Sequence, residues 1–465
     1  MKRIYSCLII TLLLLTTSCG DFLEPKPVSL VTDDLAITSA ADAEQVLLGA
    51  YSVLQNNNYY GNLTIGIPGM LSDELIHSGS FPTIKQMDQN AVTSDNVTLQ
   101  NYWGNAATPV TGTSSYNGIF SANIVLERIE KITIDPAVKN VIIGQSKYLR
   151  ALFHFNLLTL FGDVPIAKTT SLAALSTLPR SPKTEVYAFI IDDLTSAATL
   201  LKGADYGAAG RDSEDRVKAG EWAAKALLAR VQLYKGDKAA AGALANDVIT
   251  NGGYTLPSNY TTVFQSNSSE TIFEIFSSVN DPNGLAFQFR LSGRYEYAPS
   301  PQMVSAFQTG DKRVSVIANI ASAKPEAAKY NDVATGTDRP IVSRLAEMFL
   351  IRAEANLATA PAQALLDVNL IRLRAGALPQ TDPGFAAFTG FKELTAITLA
   401  DILKERFVEL CFEGHRWNDL VRTATVDQVM SVINPVSWKP TSALMPIPNR
   451  EIQQNPALAP QNPGY

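Results

Sequence analysis

A helix–turn–helix unit near the middle of the chain places the strongest constraint on its fold. Residues 220–234 carry apolar side chains at helical spacing. These are Trp222, Ala226, Ala229 and Leu233. A Gly236-Asp237 turn follows, and residues 239–249 form a second helical segment rich in small side chains. Because alternating large and small side chains let two helices pack closely, the unit predicts one tetratricopeptide-like repeat, about 34 residues of helix–turn–helix.

Similar pairs of helical segments recur before and after this unit. An apolar stripe runs through residues 147–161, which Gly162-Asp163 ends. The further segments are residues 119–132, 343–357 with 362–374, and 399–412 with a short helix through Val421. The sequence therefore predicts a mainly α fold, with about four tetratricopeptide-like helix pairs as its scaffold. An irregular all-α globule is the alternative.

Two long segments interrupt the helix pairs. Residues 56–118 and 252–340, which we call the first and the second insert, are rich in Asn, Ser, Thr, Gly and Pro. Short β-like runs at residues 271–277 and 444–447 predict a few small strands. Because loops of this length in a compact protein are usually functional, we expect the inserts to bind the ligand.

The first residues have the pattern of an export signal. Lys2 and Arg3 precede an apolar run, residues 8–15, which is far shorter than the ~20 residues that span a bilayer as a helix. Small residues then precede Cys19. We predict a signal peptide over residues 1–18 and lipid attachment at Cys19, and three acyl chains would exceed the two signals that stable membrane attachment needs.

The rest of the chain is expected to form one folded unit behind this anchor. Residues 19–45 contain the lipidated cysteine and a tether, in which Pro25 and Pro27 favour an extended chain. A single domain is predicted over residues 46–465. Its N-terminal half carries the first insert, and its C-terminal half covers about residues 252–465.

Charge and cysteine content exclude several classes of function. Without residues 1–18, the chain has 36 basic against 44 acidic residues, a net charge of −8, and no basic run. This balance argues against binding to nucleic acid or to anionic lipid surfaces. Only Cys411 remains as a thiol once Cys7 and Cys19 belong to the export segment, so no disulfide within the chain is expected.

The sequence lacks the familiar patterns of catalysis and of metal binding. It contains no G-x-S-x-G, no H-E-x-x-H, no phosphate-binding glycine loop and no paired cysteine motifs. His154 lies in an apolar helix and His415 at a helix–helix turn, where both are interpreted as packing residues. We predict that the protein is not an enzyme and needs no cofactor or metal. A hidden glycosidase stays open, because sequence spacing does not report the distance between two carboxylates.

Aromatic residues in polar surroundings make the inserts the candidate ligand-binding regions. An aromatic face flanked by amides and charges suits a sugar ring, whose C–H face stacks while its hydroxyls form hydrogen bonds. Each aromatic side chain has the competing role of anchoring its loop to the core. The candidate contacts are Tyr59, Tyr60, Asp73, His77, Asn101, Tyr102 and Trp103 in the first insert, and Arg294, Tyr295 and Tyr297 in the second.

The motifs of the chain, in their order, resemble those of the SusD/RagB-type lipoproteins of Bacteroidetes. The most telling is the run at residues 412–417, Phe-Glu-Gly-His-Arg-Trp, followed by Asp419-Leu420. The other matching segments are Cys19 with residues 22–25, 147–151 with 160–165, 223–230 with 235–237, 344–348 with 351–355, 404–406, 445–448 and 462–465.

The resemblance implies a scaffold, a location and partners. Family members bind ligand with the loops between tetratricopeptide-like helix pairs, and starch binders do so with an arc of aromatic side chains. They are anchored by lipid at the outer membrane and face outward, as a lid over a SusC-like TonB-dependent transporter that typically meets the repeat surface. The implied ligand is an oligosaccharide. A peptide, as in the RagB branch, or a pure protein-interaction scaffold are the alternatives, and residues 413–417 are implied to form a packed turn.

Overall fold

Helices dominate the part of the chain that the structure describes. The structure is a computed structural model that describes residues 37–104, 113–204, 216–265 and 268–465. The predicted signal peptide and Cys19 lie outside the described residues. Within the described ranges, no helix is both long enough and apolar enough to cross a membrane.

The bounds of the elements are as follows. The helices are α1 (Ala40–Gln55), α2 (Leu63–Leu71), α3 (Pro82–Asp88), α4 (Val97–Trp103), α5 (Ser115–Arg128), α6 (Pro136–Phe161), α7 (Leu172–Leu175), α8 (Lys183–Leu200), α9 (Glu221–Lys235), α10 (Lys238–Asn251), α11 (Leu285–Phe289), α12 (Pro301–Ala306), α13 (Leu345–Asn356), α14 (Pro361–Arg374), α15 (Leu399–Glu409), α16 (Arg416–Arg422), α17 (Val426–Ile433) and α18 (Asn449–Gln454). The strands are β1 (Leu75–His77), β2 (Thr271–Glu274), β3 (Tyr297–Pro299), β4 (Ile317–Ala318), β5 (Glu326–Ala327) and β6 (Ile341–Arg344). Short 3-10 helices are formed by Ile129–Lys131, Tyr260–Phe264, Lys312–Val316, Pro440–Ala443 and Pro456–Leu458.

The longer helices pack in one continuous series. Helix α1 contacts α5, α5 contacts α6, α6 contacts α8, and α8 contacts α9. The series then continues through α10 and α13 to α14. The inserts leave this series without interrupting the packing of its helices. The predicted fold class, mainly α with a few short strands, is confirmed, and the likeness to tetratricopeptide repeats stays a prediction with which the series is consistent.

The hairpin of α9 and α10 shows why the sequence folds in this way. Gly236 ends α9 with a left-handed backbone, φ +96°, a conformation that glycine adopts without a steric penalty. Asp237 then begins α10, because its side chain accepts a hydrogen bond from the N–H of Ala240 at 3.1 Å. The Gly-Asp pair therefore both stops one helix and starts the next.

The first insert contains a buried helix that the sequence analysis missed. Every residue of α2 is buried, so its sequence shows no polar face to alternate with an apolar one. Pro68 and two glycines also lower its helix propensity. Gly66 is required by packing, since a Cβ there would lie 2.6 Å from Tyr297 Oη. The first insert, which the sequence analysis treated as a long loop, therefore contains a helix with no exposed face.

Described strands form three two-stranded antiparallel sheets: β1 with β3, β2 with β6, and β4 with β5. The strand predicted within residues 271–277 is observed as β2. Residues 444–447 form no strand, which corrects that expectation. The pairing of β1 with β3 joins the first insert to the second.

Buried ion pairs fix the predicted turn at residues 413–417. Arg344, at the end of β6, places Nη1 at 2.6 Å from carboxylate oxygens of Glu270 and Glu409. Its Nε donates to Glu413 Oε2 at 2.8 Å. Burial alone would raise the pKa of Glu409, but the neighbouring arginines outweigh burial and lower that pKa. The turn is therefore packed and ion-paired.

Two histidines lie in the core, as predicted. The Nδ1 of His154 donates to the carbonyl of Arg150 at 2.8 Å, and burial lowers the pKa of this histidine to about 3. His415 is also buried, and burial, reinforced by nearby cationic side chains, lowers its pKa. Both imidazoles are therefore neutral at neutral pH and act as packing groups.

Candidate functional site

The two inserts meet where β1 and β3 pair. The register places His77 opposite Tyr297, and the chain continues on both sides into polar loops. The group formed there consists of Ser78, Ser80 and Phe81 from the first insert and Arg294 and Glu296 from the second. We call these five residues the insert junction.

Glu296 holds the insert junction together. Its side chain is 1 % exposed, and its carboxylate accepts the backbone N–H groups of Ser80 at 3.0 Å and Phe81 at 3.1 Å. The Nε of Arg294 donates to it at 2.8 Å. Gly79 makes this contact possible, because a Cβ there would lie 2.2 Å from Glu296 Cδ.

The electrostatics of Glu296 follow from these donors. Burial alone would raise the pKa of Glu296, but the N–H groups of Ser80 and Phe81, together with Arg294, outweigh it and lower the pKa. The carboxylate is therefore ionised at neutral pH. An ionised acceptor forms stronger hydrogen bonds than a neutral one, so it fixes the two loops against each other.

Arg294 and Phe81 form the exposed part of the junction. The guanidinium carbon lies 3.5 Å from the centroid of the Phe81 ring, within the range of a cation–π contact. Nη2 of Arg294 also donates to Ser80 Oγ at 3.3 Å. Phe81 is 37 % exposed. The pair therefore presents a partly open aromatic ring beside an immobilised, planar hydrogen-bond donor.

A second exposed aromatic, Phe287, lies on the short helix α11, just before the turn that contains Arg294. Phe287, at 46 % exposed, accepts the N–H of Arg294 with its carbonyl at 2.7 Å. Leu291, between them in sequence, is also exposed. This mixture of apolar surface and a few fixed polar groups is the composition of a site for small ligands.

His77 and Tyr295 support the junction from within. His77 Nε2 lies 3.3 Å from Glu296 Oε2, although the two atoms are not aligned for a hydrogen bond. Tyr295, with φ +56°, donates its hydroxyl to the carbonyl of Pro325 at 2.6 Å, and burial raises its pKa to about 12. Both side chains have little exposed surface.

Most of the aromatic candidates are core residues. Tyr59, Tyr60, Tyr102 and Trp103 are buried. The rings of Tyr59 and Tyr102 stack with centroids 5.3 Å apart, and Trp103 meets Phe161 edge-on at 4.8 Å. A ring without an exposed face cannot stack on a sugar, so the expectation that these four residues contact ligand is corrected for this conformation.

The same correction applies to two other candidates. Tyr297 is buried and donates its hydroxyl to Asn62 Oδ1 at 2.8 Å. Asp73 is buried and forms a bidentate pair with Arg416 at 2.6 and 2.8 Å. Asn101 is exposed on α4, outside the insert junction. Of the candidates from the sequence, Arg294 is the one at the surface of the junction, and His77 and Tyr295 lie directly beneath it.

Phe81 and Phe287 were missed by the sequence analysis. A signal for Phe81 is present, because it follows Ser78-Gly79-Ser80 and precedes Pro82, and a run of small polar residues offers an aromatic ring little cover. Phe287 has no such signal, since Phe289 two residues later is buried. Across the described ranges, no cluster of three or more His, Cys, Asp or Glu side chains could hold a metal ion.

Comparisons with known proteins all match SusD-like proteins. The family described as the SusD family matches residues 321–465, and the family described as starch-binding and associating with the outer membrane matches residues 21–233. SusD-like protein P2 of Formosa agariphila is 26 % identical and aligns over the whole of both chains. A SusD-like protein of Bacteroides ovatus is 24 % identical over 89 % of this chain and 81 % of its own length.

Solved structures share the fold. A laminarin-binding SusD-like protein superposes with a TM-score of 0.78 at 22 % identity, covering 92 % of this chain and all of its own. Surface glycan-binding protein A of Bacteroides thetaiotaomicron, solved with laminarihexaose, gives a TM-score of 0.73 at 18 % identity over 91 % of this chain and 99 % of its own.

Proposed function

This chain belongs to the SusD/RagB family, and from that premise we propose that it captures a nutrient glycan through the insert junction and delivers it to a SusC-like TonB-dependent transporter. One matching family model is described as starch-binding and associating with the outer membrane, and one structural neighbour is a surface glycan-binding protein, so both descriptions name binding and not catalysis. The prediction that the chain is not an enzyme is thereby confirmed.

One observation carries the proposed site: two loops far apart in sequence present an open aromatic ring and a fixed arginine at one place. Phe81 and Arg294 are 3.5 Å apart, and Glu296 anchors both at once. A sugar ring would stack its C–H face on the open part of Phe81, and its hydroxyls would accept hydrogen bonds from Arg294. Because the carboxylate already fixes the guanidinium, little rotamer entropy is lost on binding.

The names of structural neighbours support glycan as the ligand class. One neighbour is named for laminarin binding, and another was solved with laminarihexaose. Attachment through a lipid on Cys19, with the folded part facing outward, completes the proposal. In that arrangement the insert junction meets glycan outside the cell before the transporter does.

Affinity gel electrophoresis of residues 20–465 against a panel of polysaccharides tests the proposal. We expect at least one polysaccharide to retard the protein, and Phe81→Ala to abolish retardation because it removes the stacking surface. Loss of one aromatic contact costs on the order of 1 kcal/mol in binding free energy, in addition to the loss of buried apolar area.

The matched control is Phe388→Ala, because Phe388 is 39 % exposed, close to the 37 % of Phe81, and lies outside the insert junction. If no polysaccharide retards the protein and titration with a peptide pool releases heat, the ligand is a peptide, as in the RagB branch, and the glycan proposal is wrong. Equal loss in the control and the test variant would refute the placement of the site.

Helix α14 is the proposed contact with the transporter. Its inner face packs on α13 at the end of the helix series. Its exposed positions are all uncharged, and they include Leu366, Leu370 and Leu373, which share one face because they are spaced by four and three residues. An exposed apolar stripe of this kind marks a protein–protein contact, and the family's repeat surface is the part implied to meet the transporter.

Co-purification with the transporter tests this contact. We expect Leu370→Asp to reduce the amount of transporter recovered, because a charge would be buried in the interface, and to leave glycan retardation unchanged. The control is Leu48→Asp on α1, where Leu48 is 52 % exposed against 43 % for Leu370. Full recovery with Leu370→Asp would contradict the assignment of α14.

A further inference from the structure

A cavity of about 470 Å³ lies away from the insert junction. It is open to solvent on one side and is lined by the C-terminal ends of α6 and α9, the N-terminal end of α8, helix α16 and the last residues of the chain. None of the five residues of the insert junction lines it. Its size falls at the lower end of the ~300–1,000 Å³ of small-molecule sites. We call it the C-terminal cavity, and the lining residues used below are Asp163, Arg180, Lys183, Tyr187, Tyr234 and Asn418.

Two tyrosines from different helices form aromatic walls of the C-terminal cavity. Tyr187 comes from the first turns of α8 and Tyr234 from the last turn of α9. Aliphatic side chains, including Leu158 and Val421, complete the apolar part of the lining. Walls of this kind suit a ring with an apolar face and polar edges.

The inner end of the cavity has unsatisfied polar atoms. Tyr234 Oη and Asn418 Oδ1 are buried and have no hydrogen-bond partner among the described residues. Both residues also line a small void of about 30 Å³ behind the cavity. Because buried polar groups are nearly always hydrogen-bonded, this end requires a polar partner, such as a ligand hydroxyl that acts directly or through one water.

The charge of the lining is positive. Asp163 is the carboxylate that lines the cavity among the described residues, whereas Arg180 and Lys183 supply cations. Arg180 donates to the carbonyls of Asp163 at 2.9 Å and Pro460 at 2.6 Å, so these bonds leave its charge without a directly bonded carboxylate. Burial lowers the pKa of Arg180, but an arginine stays protonated in proteins.

The third cation of the lining is already neutralised. Arg422 donates to both carboxylate oxygens of Glu354 at 2.7 Å and to Asp419 at 2.8 Å. Its guanidinium lies 5.2 Å from the ring centroid of Tyr234 and so supports that wall. The end of the cavity formed by Asp163, Arg180 and Lys183 therefore keeps one net positive charge, because two cations face a single carboxylate there.

We propose that the C-terminal cavity binds a single hexuronate unit, an acidic sugar. The ring lies between Tyr187 and Tyr234, and its carboxylate points towards Arg180 and Lys183. Its hydroxyls reach Asn418 and the Tyr234 hydroxyl. This second site goes beyond the proposed function, since it shares no residue with the insert junction and does not depend on glycan binding there.

Saturation-transfer NMR on residues 20–465 tests this site with glucuronate, galacturonate and mannuronate as probes and glucose as the neutral comparison. The expected result is transfer to at least one hexuronate and much less to glucose. Lys183→Gln removes an exposed charge and weakens hexuronate binding several-fold. Tyr187→Ala removes a wall and abolishes it, whereas Phe81→Ala leaves it unchanged.

Three outcomes would overturn the inference: no transfer to any of the three hexuronates, equal transfer to glucose, or undiminished transfer with Lys183→Gln. If Tyr187→Ala fails to fold, Lys183→Gln alone tests whether the C-terminal cavity binds a hexuronate. Failure here would leave polysaccharide retardation and its loss with Phe81→Ala untouched, so the two proposals fail separately.

Discussion

Three buried glutamates differ in charge because their neighbours differ. Glu409 is surrounded by arginines, and Glu296 accepts two backbone N–H groups and one guanidinium N–H, so both keep a lowered pKa despite burial. Glu74 accepts fewer hydrogen bonds. Its Oε1 accepts the N–H of Phe412 at 3.0 Å, its Oε2 has no hydrogen-bond partner among the described residues, and burial raises its pKa to about 8. Glu74 is therefore mostly neutral in the folded protein at neutral pH.

This raised pKa predicts a pH dependence of stability. The pKa of Glu74 rises from its ordinary 4.5 to about 8 on folding, so the folded state holds a proton that the unfolded state releases between these values. The stability from this group is complete below pH 4.5 and is lost as the pH rises through 8. We expect Glu74→Gln to show a smaller fall of Tm between pH 5 and 8 than the parent, as measured by circular dichroism.

The control for this prediction is Glu130→Gln, because Glu130 is exposed and pairs with Lys139 at the surface. Surface pairs contribute ~0–1 kcal/mol, so this variant should follow the parent across the whole pH range. Parallel falls of Tm in Glu74→Gln and the parent would show that Glu74 is ionised in the folded state.

The sequence did not predict which individual aromatic side chains are exposed. Trp103 and Phe81 both stand among polar neighbours in the first insert, yet Trp103 is buried against Phe161 and Phe81 is open. The direction of each side chain is set by contacts with residues far along the chain. Arg294 was a candidate because charged groups beside aromatic residues suit a sugar ring, yet Glu296, in the same segment and also between aromatic residues, is buried.

At the scale of elements, periodicity was a reliable guide and its absence was not. The segment predicted at residues 220–234 is helix α9, and the segment at 362–374 is helix α14, each within a residue or so. The segment at 343–357 begins with a strand, β6, before helix α13. Helix α2 was missed because a helix covered on all sides has no amphipathic pattern.

The contact between α5 and α6 depends on a glycine. A Cβ at Gly118 of α5 would lie 2.1 Å from Phe153 Cζ of α6, and Phe153 is fully buried. We expect Gly118→Ala to destabilise the protein by about 1–3 kcal/mol, the usual cost of overpacking a core. Thermal or urea denaturation measures this directly.

Gly49 provides a matched control on a neighbouring helix. It lies within α1, and a Cβ there would meet no atom within 4 Å. Gly49→Ala should therefore stabilise the protein by about 0.5–1 kcal/mol, because alanine favours the helix over glycine. A Gly118→Ala variant as stable as Gly49→Ala would show that α5 and α6 are less closely packed than the structure has them.

At the scale of the whole molecule, the proposed ligand surface and the proposed transporter contact lie on different parts of the fold. The series from α1 to α14 supplies a continuous packed scaffold, and its last helix carries the exposed leucine stripe. The inserts leave that scaffold and meet each other through β1 and β3. A ligand surface built from both inserts can thus be held rigid by a scaffold whose own face remains available to a partner.

The order of the motifs allowed the family and the mainly helical fold to be predicted from the sequence. The same motifs carry no information on the site, because the packed turn at residues 413–417 lies in the core. The meeting of the inserts depends on the pairing of β1 with β3, two strands of three residues each. Strands that short give almost no signal above their surroundings.

Hydrogen–deuterium exchange, measured with and without the polysaccharide that retards the protein, tests the central claim most directly. The account predicts slower exchange in two separate peptides, one covering residues 76–84 and one covering residues 287–296, because the glycan contacts both inserts at the insert junction. Protection confined to one insert, or to the helices of the scaffold, would contradict a site formed jointly by the two inserts.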